Sequence, residues 1–207
     1  MGCRILVVGA GSDSVTLNFL AGSEPDPAEA EKAQINAYRE FIGRNPPFDE
    51  VAAIDSYRRS IEKLREKGID PKVQSILARV PTEFLREREE ADDNWDALVS
   101  GTPFDVVFVP HVVGYYTGAV RSYLQARSLL RNAARCCRDG GSLIALDCDK
   151  DFRLPSGGSP SGPREYKLGS LRETYEFLCP SGFFIESIRD GSSESVPTDV
   201  VLYRKVA

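Results

Sequence analysis

Only one histidine, His111, stands in the 207 residues, and the five cysteines (Cys3, Cys136, Cys137, Cys148 and Cys179) never take the C-x-x-C spacing. A zinc site needs several such ligands converging, so this inventory argues against one. An odd set of thiols without paired spacing also argues against a disulfide framework. It reads as reduced, mostly buried cysteines in a cytoplasmic protein. Long apolar runs are missing too: none approaches the roughly 20 residues that cross a bilayer. The first apolar stretch soon meets Gly9, Gly11 and Asp13, unlike a secretory leader. Met1-Gly2-Cys3 does not complete a myristoylation pattern, because Leu6 stands where Ser or Thr is needed. Positive charge is the scarcer sign, with 26 Lys and Arg against 31 Asp and Glu, a net charge of −5 and a pI near 5.1. A field of that sign argues against a nonspecific nucleic-acid binder and against a clamp on a membrane surface.

What is present is ordinary globular material, 42% hydrophobic and 28% charged. At this length about 70% of the chain's surface is buried on folding, so a core forms without staples. Residues 4–8 form a short two-sided apolar run, the pattern of a buried parallel strand. Gly9-Ala10-Gly11-Ser12-Asp13-Ser14 follows, then a short helix carrying Val15, Leu17, Phe19 and Leu20. The punctuated stretch Gly22-Ser23-Glu24-Pro25-Asp26-Pro27 opens a second helix, with Pro27 in its first turn, running to about Gly43. Asn45-Pro46-Pro47 ends it, and residues 50–55 read as a second buried strand closing on Asp55.

The alternation then repeats: a helix over 57–67, a strand at 72–78, an acidic helix over 82–99, and the very apolar strand 104–109. The next helix, expected over 118–138, carries Ala126, Leu129, Leu130, Ala133, Ala134 and Cys137 at helical spacing. Asp139-Gly140-Gly141 is expected to cap it before strand 142–146. A Pro/Gly/Ser-rich loop at 155–163, a helix over 168–178 and strands at 183–188 and 199–204 complete the chain. Strands alternating with helices predict one α/β domain over 1–207, a doubly wound, mostly parallel sheet of seven strands. The last two strands lack an intervening helix, so the final one is expected to run antiparallel. The insertion at 21–48 joins a helix to the following strand and is expected at the edge opposite the ligand.

Ligands of such sheets bind at the carboxyl ends of the strands. Gly9-x-Gly11 allows close backbone approach and offers N–H groups at a helix start. The third glycine of a dinucleotide fingerprint is replaced by Ser14. Asp55 lies 44 residues after Gly11, a spacing lengthened by the inserted helix. A carboxylate there either accepts ribose hydroxyls or caps the next helix. His111 follows the fourth strand at the same edge, and an imidazole with an ordinary pKa of ~6.5 suits a general base or a substrate contact. Tyr115 and Tyr116 follow and either stack on an acceptor or pack; Asp147 and Asp149 stand after the fifth strand. The acidic run Glu87, Glu89, Glu90, Asp92, Asp93 and Asp96 and the basic run Arg121, Arg127, Arg131, Arg135 and Arg138 read as complementary solvated faces. Trp95 reads as packing.

Together these residues resemble a known family. Val7-Val8-Gly9-Ala10-Gly11-Ser12-Asp13-Ser14-Val15-Thr16 is similar to the first motif of class I S-adenosylmethionine-dependent methyltransferases. Asp55 matches their second motif. Residues 104–109 with Pro110-His111-Val112-Val113 resemble the fourth strand and its active-site loop, and Arg138-Asp139-Gly140-Gly141-Ser142 their turn before strand five. The resemblance spans nearly the whole chain and implies a Rossmann-like fold. It implies S-adenosylmethionine as cofactor, bound through Gly9, Ala10, Gly11, Asp13, Asp55, Ser56 and Pro110, with His111 and Tyr115 at the reacting centre. The implied reaction is methyl transfer to a small-molecule N, O or C nucleophile, without nucleic acid or membrane, as a monomer or homodimer. Val7 replaces a common acid, Asp13 the third glycine, and Arg79-Val80-Pro81 the acid after strand three. A methyltransferase-like binding subunit without transfer activity is the second reading. A nicotinamide-dependent oxidoreductase is the third, disfavoured by Ser14 and the antiparallel tail.

Overall fold

The computed structural model describes residues 2–32, 34–41, 46–78, 95–114, 123–148, 171–189 and 198–207. Its strands are β1 (Arg4–Val8), β2 (Glu50–Asp55), β3 (Val73–Leu77), β4 (Phe104–Pro110), β5 (Cys137–Cys148), β6 (Phe183–Arg189) and β7 (Thr198–Lys205). Its helices are α1 (Ser14–Ala21), α2 (Pro27–Lys32), α3 (Ile35–Phe41), α4 (Arg58–Glu66), α5 (Trp95–Ser100), α6 (Val112–Gly114), α7 (Tyr123–Ala134) and α8 (Leu171–Leu178). No helix among the described residues is long and apolar enough to cross a membrane.

The seven strands form one sheet in the order β3-β2-β1-β4-β5-β7-β6. β3, β2, β1, β4 and β5 pair in parallel, and β7 runs antiparallel to both β5 and β6. The order reverses beside β1, between β2 and β4. At such a switch point the loops after the two strands head to opposite faces, the arrangement that in open α/β sheets makes a ligand crevice at the carboxyl edge.

Period-two alternation divides the core between the two faces. Ile5 and Val7 of β1 join Val51, Ala53, Val106 and Phe108 under α1 and α4. Leu6 and Val8 join Ala52, Ile54, Val107 and Val109 on the other face, with Leu129, Leu130 and Ala133 of α7 and Leu178 of α8. Because both sides of β1 are covered, its sequence is apolar from Ile5 to Val8.

A polar network closes the amino edge. The Arg4 guanidinium meets the Glu50 carboxylate through two 2.7 Å bonds and stacks 4.5 Å from the centre of the Phe104 ring. Asp105 accepts the Arg4 N–H at 2.7 Å with one oxygen and Arg138 Nε at 2.6 Å with the other. The hydrogen bond from Arg4 holds the Glu50 carboxyl below the usual carboxylate range.

Three expectations are corrected. The helix expected from 27 to about 43 is two helices meeting at Gln34. The Gln34 N–H donates to Thr16 Oγ1 at 3.2 Å, outside the helical ladder. The insertion therefore does not stay at the amino edge: its corner returns to the first turn of α1, at the carboxyl edge. From there α3 lays Ile35 and Tyr38 over the face that also holds Ile144, Leu146 and Val200. Lastly, the helix expected to reach 138 ends at Ala134. Arg135 and Cys136 donate to Asn132 and Ala133 in a tightened last turn, and the Cys136 carbonyl takes the Phe104 N–H at 2.8 Å. Cys137 consequently lies in β5, and residues 138–141 are an irregularity inside that strand, where the register jumps from Phe104↔Cys137 to Val106↔Ser142. Gly141 is required there, since a Cβ would stand 2.7 Å from Cys137 Sγ and 2.8 Å from the Arg138 carbonyl.

Tyr38 ties the insertion to the body of the protein. Its ring meets Phe19 at 5.7 Å and Phe48 at 6.0 Å, both edge-to-face. With Tyr38 almost fully buried, Tyr38→Ala is expected to cost about 3–5 kcal/mol in urea unfolding. A cost below about 1 kcal/mol would mark the insertion as an appendage to the core.

Candidate functional site

The carboxyl end of β2 organises the site. The Ile54 carbonyl accepts the N–H groups of Gly9 at 2.9 Å and Ala10 at 3.0 Å. Asp55, buried at 6% exposure, continues the grip: Oδ2 accepts the Gly11 N–H and Oδ1 the Tyr57 N–H, each at 2.8 Å. Three successive N–H groups of the glycine loop are thus held by two residues of the neighbouring strand.

Gly9 has φ +75°, and a Cβ on it would stand 2.1 Å from Val112 Cγ2. Val112 opens α6, so the loop after β4 is seated against the loop after β1 only because position 9 has no side chain. His111 lies between Pro110 and Val112, half-buried, with φ +60°, the only positive-φ residue besides glycines among the described residues. Its N–H donates to the Leu146 carbonyl at 2.6 Å. An imidazole-bearing residue in the left-handed region stores about 1–2 kcal/mol of strain, and such strain collects at functional sites.

Asp13 serves α1 directly. Its Oδ1 accepts the Thr16 N–H at 3.0 Å and its Oδ2 the Thr16 hydroxyl at 2.6 Å, an N-cap with both oxygens engaged. Lys67 Nζ donates to the Ser12 carbonyl at 2.7 Å, clamping the loop from α4. Ser56 is half-buried beside Asp55, Ala10 is buried, and Pro110 is the buried last residue of β4. The structure therefore brings Gly9, Ala10, Gly11, Asp13, Asp55, Ser56, Pro110 and His111 to the ends of three adjacent strands. Tyr115, Tyr116, Arg79, Asp149 and the loop 151–168 lie outside the described residues, as does most of the acidic helix.

Four contributors have roles that the sequence did not assign: Val112, Thr16, Gln34 and Lys67. Thr16 had a signal, since an Asp followed three residues later by a hydrogen-bonding side chain is the spacing of a reciprocal helix cap. Val112 had none, because its role is a long-range contact. The buried thiols offer no alternative nucleophile: burial pushes Cys136 up to about 11 and Cys137 up to about 12.

Two substitutions probe this geometry. Asp55→Asn places an NH₂ group opposite one of two backbone donors and is expected to cost about 1–3 kcal/mol of stability in chemical denaturation; retention of full stability would deny the carboxylate its loop-holding role. At position 111 the usual ranking inverts. His111→Gly should be about 1 kcal/mol more stable than His111→Ala, because only glycine adopts φ +60° without strain. Equal stability of the two would remove the strain from the account.

No family profile matches the sequence, and no curated protein matches it. Solved structures do. An S-adenosylmethionine-dependent methyltransferase from Mesorhizobium loti superposes with a TM-score of 0.54 at 14% identity, over 99% of this chain and 91% of that one. Magnesium protoporphyrin IX methyltransferase from Synechocystis PCC 6803, a structure with S-adenosylmethionine bound, gives 0.52 at 12% identity over 99% and 70%. The [4+2]-cyclase SpnF gives 0.54 at 15% identity over 100% and 75%. With this strand order, the antiparallel β7 and these neighbours, the chain has the class I S-adenosylmethionine-dependent methyltransferase fold.

Proposed function

We propose that the protein binds S-adenosylmethionine at the crevice beside β1 and transfers its methyl group to a small-molecule N, O or C nucleophile. One observation carries this reading: the held glycine loop, the buried Asp55 carboxylate and the strained His111 converge at the ends of β1, β2 and β4. The residues suit the cofactor. A Cβ on Gly11 would meet nothing within 4 Å, which leaves the loop approachable. The Asp55 carboxylate has roughly four acceptor positions, and the Gly11 and Tyr57 bonds leave capacity for ribose hydroxyls.

The cofactor would supply an activated methyl on a sulfonium leaving group. The remaining task of the chain is positioning, with reacting atoms held about 3–3.5 Å apart and in line. Gly9, Ala10 and Gly11 present backbone to the ligand, Asp55 orients the ribose, and Pro110 bounds the crevice. His111 accepts a proton from a hydroxyl or ammonium acceptor, which general-base catalysis makes worth about 10²–10⁴-fold in rate. Tyr115 joins it in contacting the acceptor.

A second reading, a binding subunit that keeps the fold without transfer, is favoured by Val7. That position, commonly acidic in the family, is here an apolar residue buried under α1. Fold alone does not decide between the two.

S-adenosylhomocysteine at a hundred times its Kd is expected to stabilise the protein by about 2.7 kcal/mol. For a chain of this length that raises Tm by roughly 5–11 °C. A shift with NAD and none with either adenosyl compound would replace the methyltransferase reading by an oxidoreductase one. With an acceptor in hand, His111→Ala should lower kcat while leaving cofactor affinity nearly unchanged, and should remove an apparent pKa from the rate profile. Loss of activity in step with loss of Tm, with the pH profile intact, would leave His111 a packing role.

A further inference from the structure

The inserted pair α2–α3 is better placed for substrate than its position in the sequence suggests. Thr16 is 2% exposed, yet its hydroxyl serves two segments: it donates to Asp13 and accepts the Gln34 N–H. The corner of the insertion is thereby fixed to the same helix cap that ends the glycine loop. Its other attachment is apolar. Ile35 and Tyr38, directly after the corner, are buried in one cluster with Leu146 and Val200. Leu146 pairs with Pro110 across the β4–β5 ladder and with Val200 across β5–β7. The Leu146 carbonyl also takes the N–H of His111. The corner at Gln34 is thus one hydroxyl from the glycine loop, and the residues that follow it share a buried cluster with Leu146, whose carbonyl holds the His111 loop. Gln34 itself is half-buried, while Ile35 behind it is fully buried.

We propose that the α2–α3 insertion forms the acceptor-side wall of the site, with Gln34 at its corner determining acceptor specificity and Thr16 as the positioning residue that holds it there. This rests on the methyltransferase reading above. A neutral amide at the corner offers both a donor and an acceptor to a substrate's polar group. The apolar residues that follow anchor the corner and do not themselves contact the acceptor.

The test is proximity capture. The probe is an adenosyl thioether carrying a short chloroacetamide arm in place of the transferable methyl, so that a nearby thiol displaces chloride and becomes alkylated. Gln34→Cys and, as a control, Asp139→Cys at the amino edge are compared in a Cys148→Ser background, with sites of labelling mapped by peptide mass. Capture at position 34 is expected about tenfold or more faster than at 139, as for any reaction made effectively intramolecular, and should be suppressed by excess S-adenosylhomocysteine. Thr16→Val should lower the rate at position 34, whereas Thr16→Ser should preserve it. Equal rates at 34 and 139, in a protein whose Tm S-adenosylhomocysteine still raises, would overturn the wall and leave the methyltransferase reading standing. A normal capture rate in Thr16→Val would overturn the role of Thr16. Absence of any Tm shift in the unsubstituted protein would remove both.

Discussion

The end of β2 is the constraint on which the site depends. A glycine loop is permissive by composition and adopts one shape only when something outside it fixes its N–H groups. Here the Ile54 carbonyl and the Asp55 carboxylate hold three of them in succession. The rest of the crevice is referred to that fixed loop. Val112 seats against Gly9, and the loop after β4 takes its path from that contact. The first turn of α1 receives Asp13 and, through Thr16, the corner of the insertion. Asp55 thus acts on both sides of one question, whether it binds ribose or stabilises structure. Its bonds to Gly11 and Tyr57 are structural, and they fix the orientation of the carboxylate at the end of β2.

Much of the fold is legible in the sequence because the central strands are buried on both faces. The apolar runs at 5–8, 51–54 and 106–109 are short and flanked by turn residues, as buried strands are, and the missing helix before the last strand announces its reversed direction. Local pattern fails where a long-range bond overrides it. Helical spacing continues through Cys137, but the Cys136 carbonyl is taken by β4 and the chain leaves the helix at Ala134. Residues 27 to about 43 read as one helix with an apolar side, whereas the Thr16 hydroxyl takes the amide of Gln34 and turns the chain. Both errors concern where a helix stops, which is decided by which acceptor a single N–H or carbonyl finds.

The site is legible by position more than by contact. Gly9, Gly11, Asp55 and His111 are chemically distinctive, and alternation of strands and helices suffices to place them at one edge. Val112 is an ordinary aliphatic residue, and nothing in its neighbours announces that it fills the space of a missing Cβ on Gly9. The same limit holds for the insertion. Connectivity assigns it to the amino edge, where α1 ends and β2 begins. Only the bond from the Gln34 N–H to the Thr16 hydroxyl shows that its corner returns to the opposite edge, and only the buried face of α3 shows that it then lies over the sheet.

The Arg4–Glu50 and Asp105–Arg138 pairs lie at the amino ends of the strands, and the crevice lies at their carboxyl ends. Five or six residues of strand, about 17–20 Å, separate the two. Substitutions that far apart without shared partners act almost independently. The amino edge can therefore hold the sheet in register while residues around the crevice change. Diversification confined to the loops after β1, β4 and β5 and to the α2–α3 corner would draw on a separate reserve of stability. In this chain the tolerance of change around the crevice is a property of the opposite end of the molecule.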